Sequence, residues 1–142
     1  VQLFIHHDPD ENYFTLTGEC RPQLRRIALF DHVINNADRK GGHCLRDESG
    51  VLWAIDHGIA FHPQDKLRTV IWDFAGERIP DDLLCDLRGL LKSLNEPELC
   101  ARLEGLLSKA ETRMLRKRVE TLIETRTFPE PGAGRNYPWP PV

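Results

Sequence analysis

Charged side chains gather in two short polar segments of this chain. The first segment runs Asn35-Asn-Ala-Asp-Arg-Lys-Gly-Gly-His43, and the second runs Ala54-Ile-Asp-His-Gly58. Neither shows the apolar periodicity of a helix or a strand, so each is expected to be a loop at the end of regular structure. Each loop carries one carboxylate, Asp38 in the first and Asp56 in the second.

Two carboxylates on neighbouring loops suit the transfer of a phosphoryl group from ATP. This reaction needs a carboxylate that orients the acceptor hydroxyl, and ligands that hold a divalent cation against the phosphates. In such an arrangement Asp38 accepts the hydroxyl proton and Arg39 offers a fixed positive charge, whereas Asp56 binds the metal. His43 lies near enough in the first loop to join Asp56 as a metal ligand.

The elements around these loops must position them. Residues 43–45 and 51–55 flank the turn sequence Asp-Glu-Ser-Gly, which predicts a β-hairpin with Gly50 available for a positive φ. Before the first loop, apolar residues recur at helical spacing and predict a helix from Pro22 to about Asn35. These apolar residues are Leu24, Ile27, Phe30 and Ile34.

The two ends of the chain have different patterns. The apolar run Val1-Gln-Leu-Phe-Ile5 predicts a strand. Beyond Pro80, leucines at helical spacing predict three helices in series, and Ser108-Lys-Ala-Glu111 is a capping box that opens the last one. The proline-rich residues 128–142 are expected to be extended, either disordered or laid along the surface with Tyr137 and Trp139 as anchors.

Composition excludes several classes of function. The chain has 142 residues, 40% hydrophobic and 29% charged, which fits a single globular domain. Its 19 Lys and Arg against 22 Asp and Glu lack the basic excess of a nucleic-acid binder, so no nucleic-acid partner is expected. No apolar run approaches the roughly 20 residues of a membrane span. The four dispersed cysteines suit reduced thiols in a cytoplasm.

The two polar loops resemble those of a known family. Asn36-Ala-Asp-Arg39 followed by His43, and then Ala54-Ile-Asp-His-Gly-Ile-Ala-Phe61, look like the catalytic and metal loops of type II phosphatidylinositol 4-kinases. Those enzymes carry N-x-D-R-x-x-x-N and A-I-D-N-G-L-A-F. Residues 1–5 are similar to the hinge strand of the same family. As a whole, the chain resembles bacterial, largely actinobacterial, phosphatidylinositol 3- and 4-kinase-like proteins.

The resemblance implies a fold and a division of the chain. The fold would be α+β and mainly helical, that of a protein-kinase-like or phosphoinositide-kinase-like large lobe in which a short β-hairpin carries the catalytic loops. Residues 1–127 would form this carboxy-terminal lobe, starting at the hinge strand. Residues 128–142 would form a proline-rich tail.

The resemblance also implies cofactors and their contacts. ATP would bind at the hinge through Phe4, Ile5 and His6, with Ile55 on the other side of the adenine ring. The metal would be Mg²⁺ or Mn²⁺. His43 stands where the eukaryotic kinases have an asparagine. Because an imidazole is a softer ligand than an amide oxygen, this site would suit Mn²⁺ better than Mg²⁺.

In the family, a small amino-terminal lobe supplies a loop that covers the phosphates and a lysine that contacts them. Residues 1–142 contain neither, so we expect this piece alone to transfer phosphate negligibly and to need that lobe as a partner. The acceptor hydroxyl stays open between a lipid, a small molecule and a protein, because the sequence has no recognisable inositol-reading motif.

Two other classes of function remain open. A nucleotide-binding pseudokinase or regulatory module would keep the hinge and Asp56 but need not use Asp38. A metal-dependent hydrolase would use Asp38, His43 and Asp56 as a metal triad. The hydrolase ranks last, because H-E-x-x-H, P-loop and G-x-S-x-G patterns are all absent from the sequence.

Overall fold

A computed structural model describes residues 3–142, and in this range the chain is mainly helical with a small two-stranded antiparallel sheet. The mainly helical class is therefore confirmed. The helices are α1 (Arg21–Ile34), α2 (Asp81–Ser93), α3 (Pro97–Glu104) and α4 (Lys109–Thr125), and the strands are β1 (Cys44–Arg46) and β2 (Leu52–Ala54). Two short 3₁₀ turns lie at Gly18–Cys20 and Gly41–His43.

The core lies between α1, α2 and α4. α1 forms as its apolar spacing predicts, with Pro22 in its first turn, where a missing N–H costs nothing. The leucines of α2 pack against α4, and α1 also contacts α4. This arrangement buries one apolar stripe from each helix and leaves the polar faces in water.

The later helices also begin and end as their sequences indicate. Ser108 caps α4, since its hydroxyl accepts from the backbone N–H of Glu111 and its own N–H donates to the Glu111 carboxylate at 2.7 Å. α3 has no buried residue and lies at the edge of the helical layer. Among residues 3–142, no helix has the length and apolar composition needed to cross a membrane.

The predicted hairpin is present between the two polar loops. Its register pairs Cys44 with Ala54, Leu45 with Trp53, and Arg46 with Leu52. The Asp47 carboxylate closes the turn, accepting from the backbone N–H of Ser49 at 2.9 Å and from the Trp53 indole at 2.7 Å. Hydrogen bonds from Ser49 and Trp53 lower the pKa of Asp47 to about 2.

The strand predicted over residues 1–5 differs from the structure. Val1 and Gln2 lie outside the described residues, and residues 3–6 form no strand. The first ladder contact is a single antiparallel bridge between His7 and Asp47. Leu3 and Phe4 are 68% and 73% exposed, so this segment has no apolar partner in the described chain that would hold it in a sheet.

The proline-rich tail is ordered along the domain rather than disordered. Its anchor is Phe128, which is only 1% exposed and packs on Phe74 with ring centroids 5.7 Å apart. Pro138 is buried further along. The expected anchors Tyr137 and Trp139 are instead 54% and 78% exposed, so the prediction that these aromatic residues pin the tail is wrong.

The tail reaches the first polar loop at Gly41. The Gly41 N–H donates to the Pro141 carbonyl at 2.7 Å, and the Gly41 carbonyl accepts from the Tyr13 N–H at 3.1 Å. A Cβ on Gly41 would lie 2.9 Å from the Phe14 ring, closer than real side chains come. A larger residue at position 41 would therefore have to displace the Phe14 ring, at a point where three distant parts of the chain meet.

His32 is a buried titratable group of this core. It lies on α1, is 9% exposed and contacts the rings of Trp72 and Phe128 at centroid distances of 5.7 and 6.3 Å. Burial lowers its pKa from the ordinary 6.5 to about 4, against a smaller opposing effect from Asp65. The other charged groups that line the space beside it belong to α4 and the tail: Lys117, Arg118 and Glu130.

The neutral form of His32 is the one that the fold favours, whereas the unfolded chain takes up a proton near pH 6.5. The free energy of unfolding should therefore fall as the pH falls from 6.5 towards 4, by roughly 2–3 kcal/mol from this residue. Urea unfolding at several pH values measures this slope. His32→Gln should flatten it, while His7→Gln, at an exposed position, should leave it unchanged; equal slopes in the wild type and His32→Gln would contradict the assignment.

Candidate active site

The first polar loop begins where α1 ends in a left-handed residue. Asn35 has φ 55° and ψ 52°, a conformation that asparagine tolerates better than most residues. Its side-chain amide donates to the carbonyls of His62 at 2.8 Å and Gln64 at 2.7 Å, and its carbonyl oxygen accepts from the Lys66 N–H. The start of the loop is thus bound to residues 62–66.

The centre of the site is a buried ion pair between Arg39 of the loop and Asp31 of α1, both 0% exposed. The Nε and Nη2 atoms of Arg39 each donate to the Asp31 carboxylate at 2.9 Å. Its remaining Nη1 donates to the carbonyl of Ile55 at 2.7 Å and to that of His43 at 3.3 Å. One guanidinium therefore binds α1, the end of the first loop and the start of the second.

This geometry changes the role expected of Arg39. We predicted that it offers a fixed positive charge for the reaction, but its side chain is fully buried and its donors face Asp31 and two backbone carbonyls. Arg39 positions the loops. A positive charge near Asp38 comes instead from Lys40, whose Nζ lies 3.5 Å from the Asp38 carboxylate.

Sequence reasoning missed Asp31, although a signal was present. Asp31 lies at helical spacing from Leu24, Ile27 and Ile34, on the apolar face of α1. A carboxylate on a buried helical face needs a cationic or hydrogen-bonding partner, and Arg39 is close by in sequence.

Backbone hydrogen bonds, in addition to the ion pair, hold the first polar loop in place. The Ala37 N–H donates to the Ile59 carbonyl at 2.9 Å, which joins the two polar loops directly. Arg39 forms a parallel bridge with Thr69, donating from its N–H to the Arg68 carbonyl at 3.0 Å. Between these anchors the Asp38 N–H donates to the Asn36 side chain at 3.1 Å, and the Asp38 carboxylate is left 30% exposed.

The second loop presents Asp56 beside His43. Asp56 has φ 55°, a left-handed conformation that turns its 60% exposed carboxylate outward. The Nε2 atom of His43 lies 3.5 Å from the Asp56 Oδ2 atom. A non-glycine residue with positive φ, held at a proposed ligand position, is the kind of local strain that clusters at functional sites.

The pKa of His43 is influenced by both carboxylates, Asp38 and Asp56. Burial lowers the pKa of His43, and the Arg39 guanidinium acts in the same direction, whereas Asp56 and Asp38 both act to raise it. Asp38 and Asp56 thus lie close enough to one imidazole to influence its charge. The Lys40 N–H points at the His43 Nδ1 atom at 3.4 Å, which favours the tautomer with its proton on Nε2, facing Asp56.

The residues predicted to contact the nucleotide are only partly brought together. A cavity of about 330 Å³ is lined by Phe4, Ile5 and His6, with the hairpin turn and Trp53 as its other wall. Ile55 does not line this cavity, and its backbone is bonded to His43 and Arg39. The structure therefore places the three hinge residues on one surface and Ile55 apart from them.

No group of three or more His, Cys, Asp or Glu side chains within residues 3–142 has the arrangement of a metal site. Asp56 and His43 stand as a pair, and the Asp38 carboxylate has Lys40 as its charged neighbour. Mg²⁺ is commonly held by one or two carboxylates, with phosphate oxygens and water as the other ligands. Within the described residues, the pair of Asp56 and His43 is the donor set that such a cation would meet.

The described chain is mainly helical, with a two-stranded antiparallel sheet between its two acidic loops, which is compatible with a kinase-like lobe. A sequence model of the family described as "Phosphatidylinositol 3- and 4-kinase" matches residues 1–123. The chain belongs to the phosphatidylinositol 3- and 4-kinase family.

The relatives of the chain include a bacterial protein. "Protein Rv2133c" of Mycobacterium tuberculosis is 44% identical over 118 residues, which are 83% of this chain and 42% of that protein. The chain thus spans less than half the length of this relative. No solved structure matches the chain significantly.

Breaking the Asp31–Arg39 pair should cost far more stability than breaking a surface pair. Asp31→Leu or Arg39→Met leaves one buried charge without its partner, and each should lower the free energy of unfolding by about 3–5 kcal/mol. The double variant should lose less than the sum of the two. Chemical denaturation measures these values.

The matched control is Arg26→Met, which removes an exposed pair with Asp82 at 3.3 Å and should change stability by less than about 1 kcal/mol. Additive single losses in the double variant would show that the two side chains do not stabilise the fold as a pair.

Proposed function

We propose that this chain is the catalytic lobe of an ATP-dependent phosphotransferase that moves the γ-phosphate to a hydroxyl group. The observation that carries the proposal is the Arg39 guanidinium, which holds the loop of Asp38 and the residue before Asp56 against one another in a chain of the phosphatidylinositol 3- and 4-kinase family. The loop sequences resemble those of type II phosphatidylinositol 4-kinases in particular.

Each carboxylate has a role that suits its surroundings. The Asp38 carboxylate is 30% exposed, so an acceptor hydroxyl can reach it, donate a hydrogen bond to it and then transfer its proton. Asp56 faces outward on its strained turn and would hold a divalent cation. A bound Mg²⁺ or Mn²⁺ neutralises charge that develops on the phosphates.

His43 has a conditional role. A metal ligand must offer a lone pair, whereas the neutral tautomer favoured here carries its proton on Nε2 towards Asp56. The His43 Nε2 atom lies 3.5 Å from the Asp56 carboxylate, and His43 would become a ligand through that atom only when its proton moves. Asp56 is the stronger candidate of the two for direct contact with the cation.

ATP would lie against the hinge residues 4–6, and a small amino-terminal lobe would cover it. The exposed apolar side chains on this side of the chain fit such a partner: Leu3, Phe4, Val51 and Trp53. The free cysteines agree with the cytoplasm as the site of action. The acceptor stays open between a lipid, a small molecule and a protein.

The runner-up is a nucleotide-binding pseudokinase. Two observations favour it. The Asp38 carboxylate already has the Lys40 ammonium at 3.5 Å, and the buried Arg39 contributes no charge to the surface. A metal-dependent hydrolase draws no support from the described residues, since Asp38, His43 and Asp56 do not form a three-ligand cluster.

Asp38→Asn separates the enzyme from the pseudokinase. In the gene product as expressed, this variant should lower kcat about 10²–10⁴-fold, because the acceptor loses its base, and leave ATP affinity unchanged. A radiolabelled-ATP assay and a nucleotide-binding titration measure the two quantities. Asp86→Asn, on the exposed face of α2, is the control and should match the wild type in both. Turnover that survives Asp38→Asn would falsify the catalytic role.

His43→Asn tests the metal assignment. Replacing the imidazole by an amide oxygen should shift the preference of the site from Mn²⁺ towards Mg²⁺ by several-fold, since oxygen ligands suit Mg²⁺. The readout is the thermal stabilisation by an ATP analogue at increasing concentrations of each metal. His7→Asn is the control, and an unchanged ratio of the two metals in His43→Asn would remove His43 from the site.

A further inference from the structure

A second cavity lies behind the candidate active site, between α1, α4 and the tail. Its volume is about 240 Å³, and its apolar wall includes Trp72, Met114 and Leu122. The Trp72 indole is held in place, because its N–H donates to the Asn136 carbonyl at 3.1 Å. A preformed, mainly apolar hollow with a few polar groups is the usual form of a small-molecule site.

Charges of both signs face this cavity. Lys117 and Arg118 come from α4, Asp65 from the loop after the candidate site, and Glu130 from the tail. Asp65 lies near enough to influence Arg118 electrostatically, yet no ion pair within 4.0 Å joins any of these four in the described chain. Two cations and two anions therefore share the wall of one hollow without neutralising each other directly.

Arg118 is the most constrained of these groups. Its Nε donates to the Val33 carbonyl at 2.9 Å, which fixes the guanidinium at the end of α1. Its Nη2 is buried and has no hydrogen-bond partner among the described residues. A buried donor without an acceptor is costly, so an acceptor that reaches this corner after a small rotation of the guanidinium is favoured.

We propose that this cavity binds a small zwitterion, of the class of a free amino acid with an apolar side chain. Its carboxylate would lie at Arg118 and Lys117, its ammonium at Asp65 and Glu130, and its side chain against Trp72 and Met114. Such a ligand carries both charges a few bonds apart, which suits a cavity of the described chain lined by residues of both charge signs that form no ion pair with one another within 4.0 Å. The proposal requires no phosphotransfer activity.

The cavity is coupled to the candidate active site through Asn35. Asn35 lines the cavity, begins the loop that carries Asp38, and holds the carbonyls of His62 and Gln64. Arg118 also approaches the His62 carbonyl, at 3.5 Å. A ligand that orders this wall would therefore stiffen the entry to the catalytic loop, which gives the site a regulatory role.

The test compares three probes by NMR titration of the chain: L-leucine, L-leucinamide and 4-methylpentanoate. The amide lacks the carboxylate and the acid lacks the ammonium. L-leucine should bind saturably and at least about tenfold more tightly than either, because each loses one charge-assisted contact. Equal binding of all three, or no saturable binding of L-leucine, overturns the proposal.

Two variants locate the site. Gly132 lines the cavity, and a Cβ there would meet only the Asp65 carboxylate at 3.9 Å, so Gly132→Leu fills the hollow without a backbone clash. Arg118→Gln removes the carboxylate partner. Each should weaken L-leucine binding at least about tenfold, and undiminished affinity in Gly132→Leu, which leaves Arg118 in place, overturns the location.

The control variants make the same two substitutions, Gly to Leu and Arg to Gln, at positions that do not line the cavity. Gly89→Leu adds a leucine on the open face of α2, and Arg113→Gln removes an exposed arginine from α4; both should bind L-leucine as the wild type does. Binding should also shift the amide resonances of Ala37 and Asp38. Saturation that leaves those resonances unmoved overturns the coupling to the catalytic loop.

Discussion

The ion pair of Arg39 with Asp31 is the interaction on which the site depends. Both side chains are withdrawn completely from water, which is unfavourable unless hydrogen bonds replace the lost solvent. The Arg39 guanidinium makes such bonds by donating to carbonyls from two separate loops. The buried charge therefore fixes the position of backbone that otherwise has little regular structure. Apolar residues of similar volume would stabilise the fold as well as the ion pair does. The pair is therefore better explained by the fixed position that it gives the two loops than by a gain in stability.

Near the ion pair, the backbone of residues 56–61 is both strained and held by hydrogen bonds. Asp56 and Phe61 both have positive φ, at 55° and 66°, and for an aromatic residue such a conformation is a true outlier. The Phe61 N–H donates to the Ile34 carbonyl at 2.6 Å, at the end of α1. The second loop is thus held in an unfavourable shape by bonds to the same helix that supplies Asp31, which keeps the Asp56 carboxylate facing outward.

Local patterns in the sequence predicted much of this fold. The helix from Pro22, the hairpin around Gly50 and the capping box at Ser108 all depend on contacts between residues near in sequence, and all three are present. The strand over residues 1–5 could not be judged this way, because a strand depends on a partner elsewhere. Leu3 and Phe4 lack one in the described chain and are exposed.

The candidate site was predictable in its residue types and less so in its geometry. The spacing of Asp38, His43 and Asp56 indicated two neighbouring loops, and the structure places His43 beside Asp56 and within electrostatic reach of Asp38. Spacing cannot show which way a side chain faces, and so Arg39 was expected to offer its charge to the reaction although it is buried. The tail was misjudged for a related reason: its anchor is Phe128, and its conspicuous aromatic residues Tyr137 and Trp139 face water.

The meeting point at Gly41 has a consequence for the order in which the described domain folds. The Gly41 N–H donates to the Pro141 carbonyl and the Gly41 carbonyl accepts from the Tyr13 N–H, so two segments far apart in sequence close on the first polar loop. Contacts between distant segments cost more loop-closure entropy than the local contacts of α1 and the hairpin. Those two elements can therefore form early, and the loop reaches its final shape only when both distant segments have docked.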